Sequence, residues 1–418
     1  MLEKIFNKKV LFNEITITFI FLCFFKPLLL YYYDGINKAY NLMMIISGIY
    51  VIINYAFYCM EKPKKQISKI QLAIVFYIFS LLISTSFGTH DFATLIKTYV
   101  KWLAISMYTE MLIMNCCEKF LNSLSRILFS YIVLDFITMI LFPQGIFNPD
   151  GFTPVFFLGN DNTTTIMVTL GILFIWFRAV FYKNRLDKMS IISLVLALII
   201  YLKNWSVTAL IGVFMVIIYL IFLYKRNKNG KLFNYRNYVI FGIILFLLIV
   251  VFRIQNNFQV FIEGFLHKSV TFTGRTQIWD NCFYYIKNNL ILGLGVQEFE
   301  VRGKLISIFH AHCTYLNVLL EGGILGFILF FNIFMVVLKK IKKIKANELL
   351  NILSFGIFIY LFVGIVEVYQ DSQMLYIFLV MLYYFEEINK QRNERNERKE
   401  SSKEDSFEKK YEKSISNY

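Results

Sequence analysis

The chain has 418 residues, of which 57% are hydrophobic and 18% aromatic, and its mean hydropathy is +0.57. This composition is far more apolar than a soluble domain requires, and it excludes a soluble globular protein. The formal net charge of +15 is spread over the whole hydrophobic chain, and its distribution argues against a nucleic-acid-binding surface.

Hydrophobic runs recur along most of the chain and predict an all-α integral membrane protein with about twelve transmembrane helices, since each run approaches the ~20 residues that cross a bilayer. The predicted spans are approximately 15–33, 40–59, 70–88, 98–116, 127–143, 162–181, 189–203, 206–224, 237–253, 315–338, 349–366 and 372–386. Only Asn204 and Trp205 separate the seventh span from the eighth, which predicts a tight hairpin. The first run lacks a small-residue cleavage site, so we expect a retained span and no cleavable signal peptide.

Lys and Arg residues cluster after every second hydrophobic run. The clusters are Lys4/Lys8/Lys9, Lys62/Lys64/Lys65/Lys69, Lys119/Arg126, Lys183/Arg185/Lys188, Lys225/Arg226/Lys228/Lys231/Arg236 and Lys339/Lys340/Lys342/Lys343/Lys345. Because cytoplasmic loops retain the Lys/Arg excess, this alternation predicts both termini in the cytoplasm of a protein of the cytoplasmic membrane. Merging the seventh and eighth spans would move the later clusters to the wrong side, so twelve spans are preferred. The basic charge therefore indicates topology and contact with anionic lipids, and no nucleic acid is expected.

This topology leaves one large extracytoplasmic loop that contains short helices. The predicted parts are an N-terminal membrane bundle of about nine spans at 1–253, the loop at 254–314, three C-terminal spans at 315–386 and a charged cytoplasmic tail at 387–418. A second external segment, 143–160, is rich in Pro and Gly and is predicted to be irregular. The tail has nearly balanced charge and is predicted to be disordered or a solvated helix.

Several ionisable residues fall within or beside the predicted spans, namely Lys26, Lys101, Glu110, Asp135, Arg178 and Glu367. Such residues are costly in a membrane and often mark functional sites. Lys101 lies near the external end of its span, so it is a candidate phosphate contact. Asn160 precedes the sixth span, where Asn is a common helix N-cap.

Arg275 is the first charged candidate in the large loop. It follows Gly274 and has no matching acidic neighbour, and a guanidinium can form two parallel hydrogen bonds to a phosphate. Contact with lipid headgroups is the alternative. From Arg275 onward, Trp279, Phe283 and Ile286 recur at helical spacing, which predicts a short amphipathic helix on the membrane surface.

His310 and His312 immediately precede the tenth span. Histidines at this spacing point in opposite directions on a helix, and the loop holds no further His or paired Cys, so no metal site is predicted. If the helix begins near Cys313 or Thr314, His312 lies at its N-terminus, where the dipole favours a neutral imidazole suited to act as a general base. The alternative is a pair of surface histidines with no catalytic role.

A polar stripe follows on the tenth helix, formed by Thr314, Asn317 and Glu321, and by His310 if the helix starts early. A Glu within a span costs about 2.5–3.5 kcal/mol, so Glu321 is expected to face protein or a water-filled cavity. There it would orient a histidine or bind a sugar hydroxyl. Gly322, Gly323 and Gly326 are interpreted as sites of close helix packing.

The six cysteines show no metal-ligand spacing. Cys282 and Cys313 both fall in the predicted external region, where a disulfide is chemically allowed, although unpaired thiols are the preferred interpretation.

In their order and spacing, these motifs resemble the O-antigen ligase and polymerase superfamily. The matching motifs are Phe142-Pro143-Gln144-Gly145, Gly159-Asn160-Asp161-Asn162, Gly274-Arg275, Trp279, Gly293-Leu294-Gly295, His312 and Glu321-Gly322-Gly323-Ile324-Leu325-Gly326. The resemblance implies that Arg275 holds a lipid diphosphate and that His312 is the catalytic residue. The residues predicted to contribute to substrate binding are His310, Glu321, Lys101, Lys203, Asn160 and Trp279.

Two departures from the pattern stand out. Related sequences often carry a basic residue beside a Ser at the start of the eighth span, where this chain has Ser206-Val207-Thr208, and Lys203 is the candidate replacement. Cys313 also stands where Asn commonly follows the His.

The resemblance implies a polymerase that transfers a glycan from a polyprenyl-diphosphate carrier to a sugar hydroxyl of a second lipid-linked repeat unit. Its partners would be these glycolipids, the bilayer, and a flippase and chain-length regulator of the same pathway. No cofactor is expected, because the donor is activated by its diphosphate. The alternatives are a ligase that moves finished glycan to another envelope acceptor, or a flippase or transporter for lipid-linked sugar.

Overall fold

The computed structural model describes residues 8–61, 66–148, 154–223, 234–258 and 274–415. These residues form helices and connections with no β-strand, which confirms the predicted all-α class. The helices are α1 Lys8–Leu11, α2 Glu14–Phe24, α3 Asp34–Glu61, α4 Lys69–Phe87, α5 Phe92–Leu141, α6 Asp161–Lys183, α7 Lys188–Asn204, α8 Val207–Ile218, α9 Tyr235–Phe246, α10 Arg275–Asn288, α11 Phe299–Ile306, α12 Thr314–Ile341, α13 Glu348–Val363, α14 Gln373–Tyr383 and α15 Phe385–Ile415. Short 3-10 turns cover Leu28–Tyr32 and Ile254–Phe258, and π-helical turns extend α8 and α9 over Tyr219–Leu223 and Leu247–Val251.

Within the described residues, five helices have the length and apolar composition needed to cross a membrane: Asp34–Glu61, Lys69–Phe87, Phe92–Leu141, Asn162–Lys183 and Thr314–Ile341. Five shorter apolar helices accompany them. The protein is thus a multi-pass membrane protein, and the number of twelve spans stays a prediction. The first predicted span differs most, because helix α2 ends at Phe24 and Lys26 and Pro27 separate it from the next 3-10 turn.

Helix α5 contains two of the predicted spans and reverses direction at Cys116, whose φ of −157° and ψ of 51° are not helical. Hydrogen bonds to the two ends of the short helix α2 show this reversal. Tyr108 and Lys119, on either side of Cys116, donate to the carbonyls of Leu11 and Phe12 before α2. Tyr131, further along, donates to the carbonyl of Phe25 after α2. The two halves of α5 therefore run in opposite directions through the helix bundle.

One face of the bundle carries the basic segments, and we call it the basic face. Its ion pairs join Lys8 to Glu61 at 2.6 Å and Lys340 to Glu386 at 2.8 Å. The tail helix α15 docks there, where the Arg395 guanidinium lies 4.1 Å from the Tyr182 ring centroid. The tail is thus helical, one of the two predicted forms.

The opposite face, which we call the site face, contains the described part of the predicted external loop. Thr89 donates to the carbonyl of Val296 at 2.5 Å, and the amide of Glu298 donates to Asp91 at 3.3 Å. Helix α10 forms as predicted and buries Trp279, Cys282 and Ile286. Residues 259–273 of the loop lie outside the described residues.

Helix α12 is interrupted at Gly323, where φ is 59° and ψ is −161°. The segment Leu290–Gly295, which contains the Gly-Leu-Gly motif, fills the gap. The amides of Leu294 and Gly295 donate to the carbonyls of Leu320 and Glu321, at 2.7 and 3.0 Å. On the other side, the amides of Ile324 and Leu325 donate to Leu290 and Ile291, at 2.9 and 3.2 Å. The two glycine motifs therefore interlock, and the external loop satisfies the backbone groups that the break in α12 exposes.

Close helix packing, the predicted role of the α12 glycines, does not account for the position of Gly323. A Cβ added there would lie 2.3 Å from the Ile291 carbonyl oxygen, and the positive φ disfavours any side chain. Gly326, in the same helix, would place a Cβ 3.8 Å from its nearest neighbour, which is ordinary contact.

Gly323→Ala is therefore expected to lower the thermal stability of the detergent-solubilised protein, by at least the roughly 1–3 kcal/mol of backbone strain. Gly326→Ala is the matched control and should melt within a degree or two of wild type. Equal melting temperatures for the two variants would contradict the interlocked arrangement.

Candidate active site

The connection between α13 and α14, residues 364–372, forms the floor of the candidate site. Thr314, the first residue of α12, holds this connection through three bonds. Its amide donates to the carbonyl of Gly364 at 2.7 Å, its hydroxyl donates to the carbonyl of Glu367 at 2.9 Å, and the same hydroxyl accepts from the amide of Tyr369 at 2.9 Å. The start of α12 thereby fixes the side chain of Glu367 beneath the loop that precedes this helix.

Three basic side chains converge on the Glu367 carboxylate. The Nδ1 atom of His310 lies 3.1 Å from one carboxylate oxygen, and the Nδ1 atom of His312 lies 3.3 Å from the same group. The Nη2 atom of Arg275 lies 3.4 Å from the second oxygen. The carboxylate is 6% exposed, whereas the two imidazoles are 27% and 33% exposed. A buried anion therefore sits below two histidines that solvent can reach.

Burial by itself raises the pKa of a carboxyl group. Here the interactions with His310 and His312 outweigh burial and hold the pKa of Glu367 well below its ordinary value, so the group stays ionised at neutral pH. A carboxylate can only accept a hydrogen bond, so Nδ1 of His312 is the nitrogen that donates to it. In the neutral ring, Nε2 is then unprotonated, which is the state that a general base requires.

The prediction that the two histidines point in opposite directions is wrong. Helix α12 begins at Thr314 with Cys313 as its N-cap, so His310 and His312 precede the helix. His312 adopts a φ of 46°, a left-handed conformation, and the two rings approach to 4.7 Å. The backbone turn replaces the helical geometry that the prediction assumed.

His310, His312 and Glu367 place their ligand atoms within 4.8 Å of one another, a spacing that a metal ion can use. The guanidinium of Arg275 contacts the same carboxylate, and its fixed positive charge opposes a second cation there. We therefore interpret the group as a hydrogen-bonded cluster, and the absence of a metal remains a prediction.

Glu321 lies in a separate buried network around Arg302, a residue that sequence analysis did not select. The Arg302 guanidinium is 2% exposed and contacts Glu321 at 2.6 Å and Asn317 at 2.7 Å. Tyr99 and Gln370 also donate to Glu321, at 3.1 and 2.6 Å. Glu321 is a residue of α12, and its carboxylate accepts from Arg302 of α11 and from Gln370 of the connection between α13 and α14. It therefore joins both of these elements to α12.

The other predicted substrate-binding residues make contacts outside the Glu367 cluster. Trp279 is fully buried in α10, and Asn160 caps α6 by accepting from the amide of Thr163 at 3.1 Å. Lys203 donates to the carbonyl of Met139 at 3.0 Å. Lys101 lies on α5 one residue before Trp102, whose indole donates to the carbonyl of Asp371 in the site floor. Their roles in binding substrate remain proposals.

The fold and the site define a multi-pass membrane protein with a His–Arg–Glu cluster on one face of its bundle. Residues 194–331 match the model of the family described as O-Antigen ligase. This match confirms the predicted resemblance to the O-antigen ligase and polymerase superfamily over that third of the chain. It contains Arg275, Arg302, both histidines and Glu321, while Glu367 lies beyond it. No curated protein matches the chain significantly.

Proposed function

We propose that the protein is a polysaccharide polymerase that transfers a glycan from a polyprenyl-diphosphate carrier to a sugar hydroxyl of a second lipid-linked repeat unit. The observation that carries this proposal is the convergence of His312, His310 and Arg275 on the buried carboxylate of Glu367. This arrangement combines a base, its counter-ion and a phosphate-binding cation in one place. The family match supports a ligase or polymerase activity on lipid-linked oligosaccharides.

In the proposed reaction, Nε2 of His312 takes the proton from the acceptor hydroxyl while the hydroxyl oxygen attacks the anomeric carbon. The new glycosidic bond forms as the bond between that carbon and the diphosphate oxygen breaks, and the electron pair leaves with the diphosphate. Arg275 stabilises the charge that develops on the departing oxygen. Glu367 stabilises the imidazolium that forms on His312, in the way that a carboxylate assists a catalytic histidine in other enzymes.

Arg275 contacts Glu367 at a long 3.4 Å. A diphosphate offers this guanidinium a stronger, bidentate partner. The arginine can therefore turn from the carboxylate to the substrate, which leaves both histidines on Glu367. Lys101 or Lys203 was expected to assist at the same phosphates, but Lys203 already bonds the carbonyl of Met139.

The proposed setting is the outer face of the cytoplasmic membrane, with both termini in the cytoplasm and the site face outside. The basic face, with its Lys and Arg segments and the tail helix, would face the cytoplasm. The pathway would be capsule, exopolysaccharide or O-antigen synthesis. A flippase that delivers the lipid-linked units and a chain-length regulator are the expected partners.

A ligase that transfers finished glycan to another envelope acceptor would use the same cluster. It differs from a polymerase in the accumulated substrate, since loss of a polymerase leaves single repeats on the carrier and loss of a ligase leaves long chains. A flippase or transporter for lipid-linked sugar is less consistent with a base and a phosphate-binding cation on one carboxylate. Transport by purified protein without glycosyl transfer would favour it.

The proposal is tested with purified protein in vesicles supplied with a polyprenyl-diphosphate-linked oligosaccharide, with product length resolved on a gel. Wild type should give a ladder of lengths. Arg275→Ala should lower the rate by roughly 10²–10³-fold, because the leaving diphosphate loses its preorganised cation. Lys287→Ala, an exposed cation on the same helix α10, is the matched control and should retain the ladder. A full ladder from Arg275→Ala would contradict the mechanism.

A further inference from the structure

Three lysines lie on the site face where helices α2, α3 and α5 pack together: a Cβ added at Gly48 of α3 would lie 3.0 Å from Val100 of α5 and 4.0 Å from the Phe24 ring of α2. Lys97 and Lys101 are one helical turn apart in the first half of α5, so they share one side of that helix. Lys26 follows Phe25, the C-cap of α2, and lies outside that helix. Its ammonium donates to Asn37 and, at 3.2 Å, to Asn41, both on α3. We call these three residues the lysine cluster.

Two tyrosine rings, in addition to the two asparagine amides, fix the position of Lys26. Its Nζ atom lies 5.9 Å from the ring centroid of Tyr40 and 6.0 Å from that of Tyr31. Two aromatic faces and two amide oxygens therefore hold an ammonium group in one orientation. None of these four partners carries a negative charge that would neutralise it.

The three positive charges oppose one another. Burial, and then the charges of Lys97 and Lys101, lower the pKa of Lys26 to about 8. Among the described residues none of the three lysines forms an ion pair, and Asp371 is the acid whose charge acts on Lys101. The fold thus keeps three cations together at an electrostatic cost that a bound anion would remove.

The lysine cluster adjoins the Glu367 cluster but is separate from it. On one side of the segment 158–162, the amide of Leu28 donates to the carbonyl of Leu158 at 3.1 Å. On the other side, the hydroxyl of Tyr369 donates to the carbonyl of Asn162 at 2.5 Å. The segment 158–162 therefore contacts both the connection that follows Lys26 and the connection that carries Glu367, so the two clusters are neighbours on different segments.

We propose that the lysine cluster binds the phosphates of a second glycolipid headgroup, that of the acceptor, while Arg275 holds the diphosphate of the donor. This inference rests on the proposed function, because transfer between two lipid-linked glycans needs two phosphate sites on one face. Lysine ammonium groups bind phosphate as point charges, and three of them are enough to neutralise the two negative charges of a sugar-linked prenyl diphosphate. Lys101 is thereby assigned to the acceptor rather than to the donor.

Binding stoichiometry tests the second site without turnover. The full-length protein is placed in nanodiscs of uncharged lipid and titrated with polyprenyl diphosphate, and bound molecules are counted by native mass spectrometry. Wild type should bind two, Lys26→Gln/Lys101→Gln one, Arg275→Ala one, and the combined variant none. Lys38→Gln is the matched control, since Lys38 is an exposed cation at the start of α3 that pairs with Asp34 at 2.7 Å.

Two bound molecules in Lys26→Gln/Lys101→Gln, with an unchanged melting temperature, would overturn the site. A wild-type count of one would overturn it as well. The titration is then repeated with an excess of phosphatidylglycerol in the nanodiscs. If this lipid displaces polyprenyl diphosphate from the lysine cluster of Arg275→Ala, the cluster binds membrane lipid headgroups and the acceptor assignment is wrong.

Steady-state rates separate this inference from the proposed function. Lys26→Gln/Lys101→Gln should raise the KM for the acceptor at least tenfold and leave the KM for the donor within twofold of wild type. Two bound glycolipids without any polymer from wild type would reject the proposed function and retain the site. A normal ladder with an unchanged acceptor KM in the double variant would reject the site and retain the proposed function.

Discussion

Replacing His312 by Ala, or Glu367 by Gln, is expected to lower glycan transfer by roughly 10²–10⁴-fold, the range that a positioned base contributes. The alanine variant loses the base itself. The glutamine variant keeps the shape of the side chain but removes the charge that stabilises the imidazolium, and its amide can present a hydrogen to Nδ1. Since both imidazoles lie within 3.3 Å of this one carboxylate, a neutral group there weakens the whole cluster.

The pH dependence of the rate distinguishes positioning by Glu367 from a merely structural role. Because the pKa of Glu367 is held below its ordinary value, the carboxylate is ionised above that ordinary value and loses its charge only as pH falls toward the lowered one. It is therefore charged throughout the working range. In Glu367→Gln this titration is absent, so any loss of rate that wild type shows as pH falls toward the lowered pKa of Glu367 should be missing from the profile of the variant.

Two variants serve as controls for this prediction. Glu367→Asp should recover part of the rate, since it keeps the charge and shortens the side chain. Glu300→Gln removes an exposed carboxylate on the same face and should behave as wild type. A Glu367→Gln enzyme with normal rate and profile would remove Glu367 from the mechanism.

Replacing Arg302 by Met is expected to destabilise the protein by about 3–5 kcal/mol, the usual effect of removing one partner from a buried ion pair. The Glu321 carboxylate is 5% exposed and would lose the guanidinium that lies 2.6 Å away, its only cationic partner among the described residues. Asn317, Tyr99 and Gln370 would still donate to it, but they are neutral. Helices α11 and α12 would consequently lose the ion pair that joins them.

An exposed ion pair of the same chain gives the matched control. Arg126 and Glu14 lie 3.4 Å apart with side chains 68% and 45% exposed, and such surface pairs contribute about 0–1 kcal/mol. Thermal melts in detergent should therefore separate Arg302→Met clearly from Arg126→Met. The Arg302→Met/Glu321→Met double variant should be less destabilised than the sum of its single variants. Equal melts for Arg302→Met and Arg126→Met would show that the network contributes little.

The parts of the fold that depend on local pattern were predictable. Hydrophobic runs located the helices, the spacing of Trp279 and Ile286 indicated helix α10, and the start of α12 near Thr314 followed from the end of the polar loop. His312 and Arg275 were selected because they match motifs of the O-antigen ligase and polymerase superfamily, since spacing alone left a non-catalytic alternative for each of them.

The partners of these residues were not predictable in the same way. Glu367 lies 55 residues from His312, and only the packing of the α13–α14 connection on Thr314 brings them together. As an acid beside a predicted span it was a visible candidate, but nothing local links it to a histidine. Arg302 lies in a polar stretch of the loop where a buried guanidinium has no local signal. The convergence of the histidines depends on the left-handed backbone at His312, a conformation that residue type does not dictate.

The interruption at Gly323 also has a consequence for biogenesis. A bilayer offers no water to an open helix turn, so the backbone groups around Gly323 need the segment Leu290–Gly295 as their partner. That segment belongs to the predicted external loop, which must cross the membrane before it can return to the helix. The residues from Thr314 to Gly323 are too few to span the hydrocarbon alone. On the proposed topology, insertion of α12 is therefore completed only when the loop that carries Arg275 and His312 has been translocated and has folded back, so the candidate site is assembled as a late step in the maturation of the protein.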